Sequence, residues 1–197
     1  MSDTSSASTE WWADPTILGW MAFGATTILA GVSFTTYGGL WNSGSALPAM
    51  AVAFGGLVMI LAGIIALRKG HAFSGTAIIS YGAFYLAFSA VVTTAVAGGT
   101  GAEAAAMWFG IVWCLVTFTF LLSAPKFGLV PTVFFLFLFV GYILMAIDFG
   151  TLANSNTLPG WYGNFWGLEF FITGLIAWYL ASAHLTNNTY GRKIFPV

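Results

Sequence analysis

The chain has 197 residues, 59% of them hydrophobic and only 6% charged, with a mean hydropathy of +0.90. A water-soluble domain carries about 25% charged residues, so this composition excludes one and requires an integral membrane protein. Five Lys and Arg against six Asp and Glu leave a net charge of -1 with no basic patch, which excludes nucleic acid as a partner.

Residues 1–13 are rich in Ser, Thr and acids up to Trp11-Trp12, and are expected to form a disordered cytoplasmic tail ending in rings suited to the headgroup level. Nothing basic precedes the first apolar run, and that run is too long for a signal core, so the first helix is expected to stay in the mature protein. Asp14 is placed to cap a helix, and Pro15 fits its first position because the missing N–H would have no partner there. Beyond the cap, Gly19, Phe23, Thr26 and Ala30 follow helical spacing and share a face expected to look inward. Six apolar segments follow, at 16–37, 47–67, 74–97, 104–123, 129–149 and 161–184, each near the roughly 20 residues that cross a hydrocarbon core. They are continuously apolar instead of alternating, and only bonds within the segment satisfy an isolated span in lipid, so helices are expected. The fold class is therefore an all-α polytopic bundle of six transmembrane helices. Its transport domain covers 14–187, followed by a cytoplasmic tail at 188–197.

The connections are short and leave no room for a soluble domain: Gly38-Gly39 with Asn42 to Ser45, Arg68 to His71, Gly98 to Gly101, Pro125-Lys126, and Asn154 to Pro159. Alternating six spans puts all five basic residues, Arg68, Lys69, Lys126, Arg192 and Lys193, on one side. By the positive-inside rule that side is cytoplasmic, with both termini inside a plasma membrane. Gly163 and Gly167 are the only glycines four residues apart, and Gly55, Gly56, Gly63 and Gly82 also suit close helix approach. The chain shows no convincing internal repeat of the kind that marks inverted-repeat transporters.

No HExxH motif, intramembrane histidine pair or neighbouring carboxylate pair is present, so no enzyme, metal site or cofactor is expected. Cys114 lies in an apolar run and reads as a small core residue; His71 and His184 lie at the cytoplasmic side without an evident partner. No lysine sits inside a span, which excludes a Schiff-base retinal protein. What remains inside the spans is neutral: Thr26 and Thr27, then Tyr81, Phe84, Tyr85 and Phe88, with further rings in the fourth and fifth spans. Any one of these rings reads first as packing. Tyr81 with Phe23 and Thr26 would make a narrow, mostly apolar constriction suited to a small amphiphilic solute. An anion there would be met by Thr26, Thr27, Tyr81 and the helix start at Asp14 and Pro15. In the sixth span Tyr162, Trp166, Glu169 and Thr173 form one stripe that should avoid lipid. Glu169, far from every basic residue, is the expected pH-sensitive group, with Asp148 at the end of the fifth span as its neighbour.

The stretch Asp14 to Ala30 resembles the Asn-Pro-Ala-Pro-Leu-Gly-Leu signature and following Gly-Phe-Gly-x-Thr-Thr of the acetate uptake transporter family, the succinate-acetate permeases. Gly55 to Gly63, Arg68 to Phe73, Ser80 to Tyr85 and Tyr190 to Pro196 resemble further parts of it, so the likeness runs from end to end. The resemblance implies a ring-shaped homohexamer in lipid with a separate path in each subunit. It also implies passage of acetate and similar monocarboxylates, in some members succinate, in a proton-coupled or channel-like manner. By position, Phe23 and Tyr81 resemble the family's constriction residues, joined by Phe137 or Leu138, while Thr26, Thr27 and Trp108 resemble positions near the carboxylate path. The signature's Asn is Asp14 here, its second Pro is Ile17, and Met59 stands where the family can carry Gln.

Two other readings compete. A urea or amide channel of the acid-gated type also has six spans in a hexameric ring and carries an acid in the sixth span, as Glu169 is here. A structural or sensory membrane protein would have no need for Thr26 and Tyr81 on inward faces.

Overall fold

The computed structural model describes residues 13–35, 46–96 and 101–196. The tail up to Trp12, the turn at 38–45 and the glycines at 98 and 99 lie outside the described residues. Within them the chain forms six helices long and apolar enough to cross a membrane: α1 (Pro15–Ser33), α2 (Ala46–Arg68), α3 (Ala72–Val96), α4 (Ala102–Ser123), α5 (Leu129–Ala153) and α6 (Gly160–Tyr190). A 3-10 turn, Ala124–Phe127, joins α4 to α5.

The start of α1 follows from its first residues. Asp14 is extended at ψ 109°, and its Oδ1 accepts from Thr16 N at 2.9 Å and Thr16 Oγ1 at 2.8 Å. At the other end of the chain, hydropathy falls at His184, where the last span was expected to stop, yet α6 continues to Tyr190. Nothing in that stretch breaks a helix until Gly191, whose φ of 62° is the left-handed conformation glycine adopts freely. Residues 188–197, expected as a tail, are thus partly helical. The remainder folds back: Asn187 Oδ1 accepts from Ile194 N at 2.7 Å and Phe195 N at 2.9 Å, and Tyr179 donates to Pro196 O at 2.6 Å.

Two helix pairs carry the close packing, and each is built on glycines seven residues apart. Gly24 and Gly31 of α1 lie against Gly174 and Gly167 of antiparallel α6: a Cβ on Gly24 would stand 2.7 Å from Trp178 N, and one on Gly174 2.6 Å from Ile28 N. Gly56 and Gly63 of α2 meet Gly82 and Gly75 of α3 in the same way, with a Cβ on Gly63 falling 2.9 Å from Ile79 N. Without side chains the backbones approach far enough for dispersion contacts to replace the missing hydrophobic drive between helices in lipid. The expected Gly163 and Gly167 pair is used differently. Gly167 packs within the subunit on Gly31, whereas among the described residues the one atom near a Cβ on Gly163 is Phe34 O at 3.9 Å.

Residues Ala51–Val58 of α2 are wound as a π-helix. This widened turn contains Gly55, whose backbone lies against Thr26 and Tyr85, so the irregularity sits beside the centre of the bundle. The interior is filled mainly by rings from α1, α3 and α5, while outward faces are apolar and suited to lipid or a neighbouring subunit.

Candidate functional site

Phe23 is the centre of the interior cluster. It is 1% exposed and meets Tyr81, Tyr85 and Phe134 edge-on, with ring centroids at 5.3, 5.7 and 5.2 Å. Phe84 continues the cluster, touching Tyr85 at 5.1 Å, Trp113 at 5.0 Å and Tyr142 at 5.3 Å. The structure therefore brings together Phe23, Tyr81 and Phe84 on α1 and α3. From α5 the ring that meets Phe23 is Phe134, a residue the sequence reading missed. Of the two α5 candidates, Leu138 is buried in the same core, while Phe137 is half-buried and lies outside it.

The hydroxyl groups are arranged in pairs. Thr26 donates to Ala22 O at 2.8 Å and Thr27 to Phe23 O at 2.7 Å, so both protons expected to face a solute are spent on the α1 backbone. Thr27 Oγ1 also pairs with Tyr85 Oη; since its own proton is committed, Tyr85 is the donor there. Tyr81 Oη lies 2.8 Å from the buried Thr117 Oγ1 of α4. Two hydroxyls in one hydrogen bond leave one proton over, and this pair retains it beside Phe23.

Trp108, expected near the carboxylate path, is 61% exposed on the outside of the single subunit. It shares an outward stripe with Val112, Leu115 and Leu122, whereas Phe109 and Trp113 of the same helix pack toward the core. Residues 108, 112, 115 and 122 repeat at helical spacing, so one face of α4 takes them all.

Asp14, His71 and His184 converge at the end of the bundle where α1 begins. With Thr16, Trp20 and Ser74 they line a cavity of about 230 Å3, and His71 Nδ1 lies 3.9 Å from Asp14 Oδ1. The two histidines, which seemed partnerless in the sequence, thus share one mouth. Trp20 stands at its floor and leads inward through Phe134, at 5.0 Å, to Phe23. The helix-start donor proposed for an anion, Thr16 N, is already taken by Asp14 itself.

At the opposite end, α5 and α6 carry the two candidate acids. Asp148 accepts from Trp166 Nε1 at 3.0 Å, and Tyr162 donates to Leu144 O at 3.1 Å. Deeper in, Glu169 is 8% exposed and accepts from Thr173 at 2.9 Å. The α6 stripe of Trp166, Glu169 and Thr173 faces the interior as its spacing requires. Among the described residues no group of three His, Cys, Asp or Glu is placed to hold a metal ion.

The arrangement is a buried cluster of rings, a polar cavity at one end and a buried acid toward the other, inside a multi-pass membrane protein. Known proteins are similar to this chain in sequence and in shape. The succinate-acetate/proton symporter SatP of Escherichia coli (strain K12) is 32% identical over 191 residues, covering 94% of this chain and 95% of that one. Acetate permease A of Emericella nidulans is 29% identical over 208 residues, covering 94% of this chain and 65% of the permease. A solved structure of the bacterial acetate channel SatP superposes with a TM-score of 0.77 at 30% identity, covering 94% of this chain and 99% of that one. The profile of the GPR1/FUN34/yaaH family matches residues 2–196, so this six-helix chain belongs to that family.

Proposed function

We propose that the chain passes acetate and related small monocarboxylates, with succinate at the upper size limit, across a plasma membrane through a path in each subunit. Proton coupling and a homohexameric ring complete the reading. The observation that carries it is the neck of Phe23, Tyr81 and Phe134, closed by rings and supplied with one spare hydroxyl proton from Tyr81 and Thr117. Such a passage suits a solute with a small apolar end and one polar end. It provides no cation, because Arg68, Lys69, Lys126, Arg192 and Lys193 all lie at helix ends or in turns. Phe84 and Leu138 are assigned to the walls of the same neck. Thr26 and Thr27 are assigned to holding it in place through backbone bonds. Glu169 and Asp148 are the candidate pH-sensitive groups. The bacterial succinate-acetate/proton symporter and the fungal acetate permease, which match nearly the whole chain, support the same solute class.

Radiolabelled acetate and radiolabelled urea, offered to vesicles that hold the purified protein, test this reading. Acetate uptake above that of empty vesicles, with urea at background, is expected. Urea uptake with acetate at background would replace it by an amide channel, and background for both would leave a structural protein.

A further inference from the structure

Two buried side-chain atoms among the described residues lack a hydrogen-bond partner, and they belong to adjacent helices: Tyr142 Oη on α5 and Glu169 Oε2 on α6. Tyr142 is fully buried and Glu169 is 8% exposed. An orphaned polar atom in such surroundings costs about 1–3 kcal/mol, so a pair of them marks a place where a partner belongs. The niche is also shaped by a neighbour. Gly141 lies against Glu169, and a Cβ there would collide with Oε2, so the carboxyl group reaches its position only because residue 141 has no side chain.

Of the other donors nearby, all but the spare proton of the Tyr81–Thr117 pair are spent. Thr173 gives its proton to Glu169 Oε1, Tyr85 gives its own to Thr27, and Tyr162 gives its own to Leu144 O. Asp148 is occupied by Trp166, and Tyr81 is paired with Thr117. On α1 the titratable side chain among the described residues is Asp14, at the far mouth. Tyr142 lies within electrostatic reach of Tyr81, Tyr85 and Glu169, and its ring touches Phe84 at 5.3 Å, which places the niche beside the neck.

We propose that Tyr142 and Glu169 form a binding site for the carboxyl group of a small carboxylic acid, in which the ligand and Glu169 hold one proton between them. The phenol donates to one ligand oxygen. The other ligand oxygen meets Glu169 Oε2, and two carboxylates in contact without a cation cannot both be ionised. An acetate anion binding to ionised Glu169 therefore brings one proton with it. The complex keeps one negative charge, with no covalent bond formed or broken apart from the transferred O–H. The site rests on the reading of the chain as a carboxylate transporter and supplies it with a coupling group.

Acetate labelled with 13C at the carboxyl carbon, titrated by NMR onto the full chain in detergent, tests the site between pH about 6 and 10, where free acetate stays ionised. In the wild type the apparent Kd is expected to hold steady while Glu169 carries its own proton, and to weaken by up to about tenfold per pH unit once Glu169 is ionised, because each binding event then takes up one proton. Glu169→Gln should flatten that dependence. Tyr142→Phe should keep the slope and weaken binding about 3- to 10-fold, the loss of one hydrogen bond. A wild-type Kd that stays constant up to pH about 10, or an unchanged slope in Glu169→Gln, overturns the site. Acetate flux in wild-type vesicles together with that result leaves the transport reading standing, whereas no flux in wild-type vesicles removes both.

Discussion

Tyr81 of α3 and Thr117 of α4 are hydrogen bonded across the interior at 2.8 Å, both buried, 36 residues apart in the chain. In the proposed path this pair supplies one free hydroxyl proton, and the bond between the two residues fixes where it points. Tyr81→Phe and Thr117→Val are each expected to reduce acetate flux about 3- to 10-fold, the loss of one hydrogen bond to a solute oxygen. The double variant should lose little more than either single one, because the two act as a unit. Flux measured in vesicles for the four proteins checks this, and full additivity would separate their roles.

The seven-residue glycine spacing in α1 and α6 leads to a stability prediction. Gly24→Val or Gly174→Val puts branched carbon where backbone atoms of the facing helix lie within 3 Å of a Cβ position. Such overpacking typically costs about 1–3 kcal/mol and here forces the helices apart. A lowered Tm in detergent is expected for both. Gly160→Ala should leave Tm nearly unchanged, since nothing lies within 4 Å of a Cβ at that position.

Much of the fold was legible because membrane spans write themselves as unbroken apolar runs, and six runs became six helices. The inward face of α1 was readable from Phe23, Thr26 and Ala30, and the α6 stripe from Trp166, Glu169 and Thr173, because polar or small residues at helical spacing stand out against lipid-facing carbon. Spans α4 and α5 offered no such contrast. They are apolar on every side, so Trp108 could not be told from Trp113, nor Phe137 from Phe134, without the packing. The resemblance supplied Phe23 and Tyr81 as neck residues, but Thr117 is one hydroxyl among several in a ring-rich helix and carried no signal of its own. Gly56, Gly63 and Gly82 read as suited to close approach, whereas the α1–α6 pair was missed because a four-residue glycine spacing was sought. The signal present was Gly-x6-Gly, repeated at 24 and 31, 56 and 63, 75 and 82, and 167 and 174.

Apolar residues on the outward faces, such as Trp108, Leu115 and Leu122 of α4, bear on assembly. In a ring of subunits part of this surface is covered by a neighbour. Native mass spectrometry in mild detergent is expected to give six subunit masses, and a single subunit mass would contradict the ring. Trp108→Ala is then expected to weaken the assembly if α4 lies at the subunit contact, and to leave the neck's selectivity unchanged.

Phe23 meets Tyr81, Tyr85 and Phe134 edge-on, and in the proposed path these contacts set the width of the neck. Uptake of acetate, butyrate and benzoate by vesicles holding wild type or Phe23→Ala therefore measures directly whether this ring cluster is the passage. Wild type is expected to favour acetate, with benzoate at the level of empty vesicles. Phe23→Ala, which removes a ring from the narrowest point, should admit butyrate and benzoate while the oligomer stays intact. An unchanged size limit in an assembled Phe23→Ala protein would contradict a path through Phe23 and Tyr81.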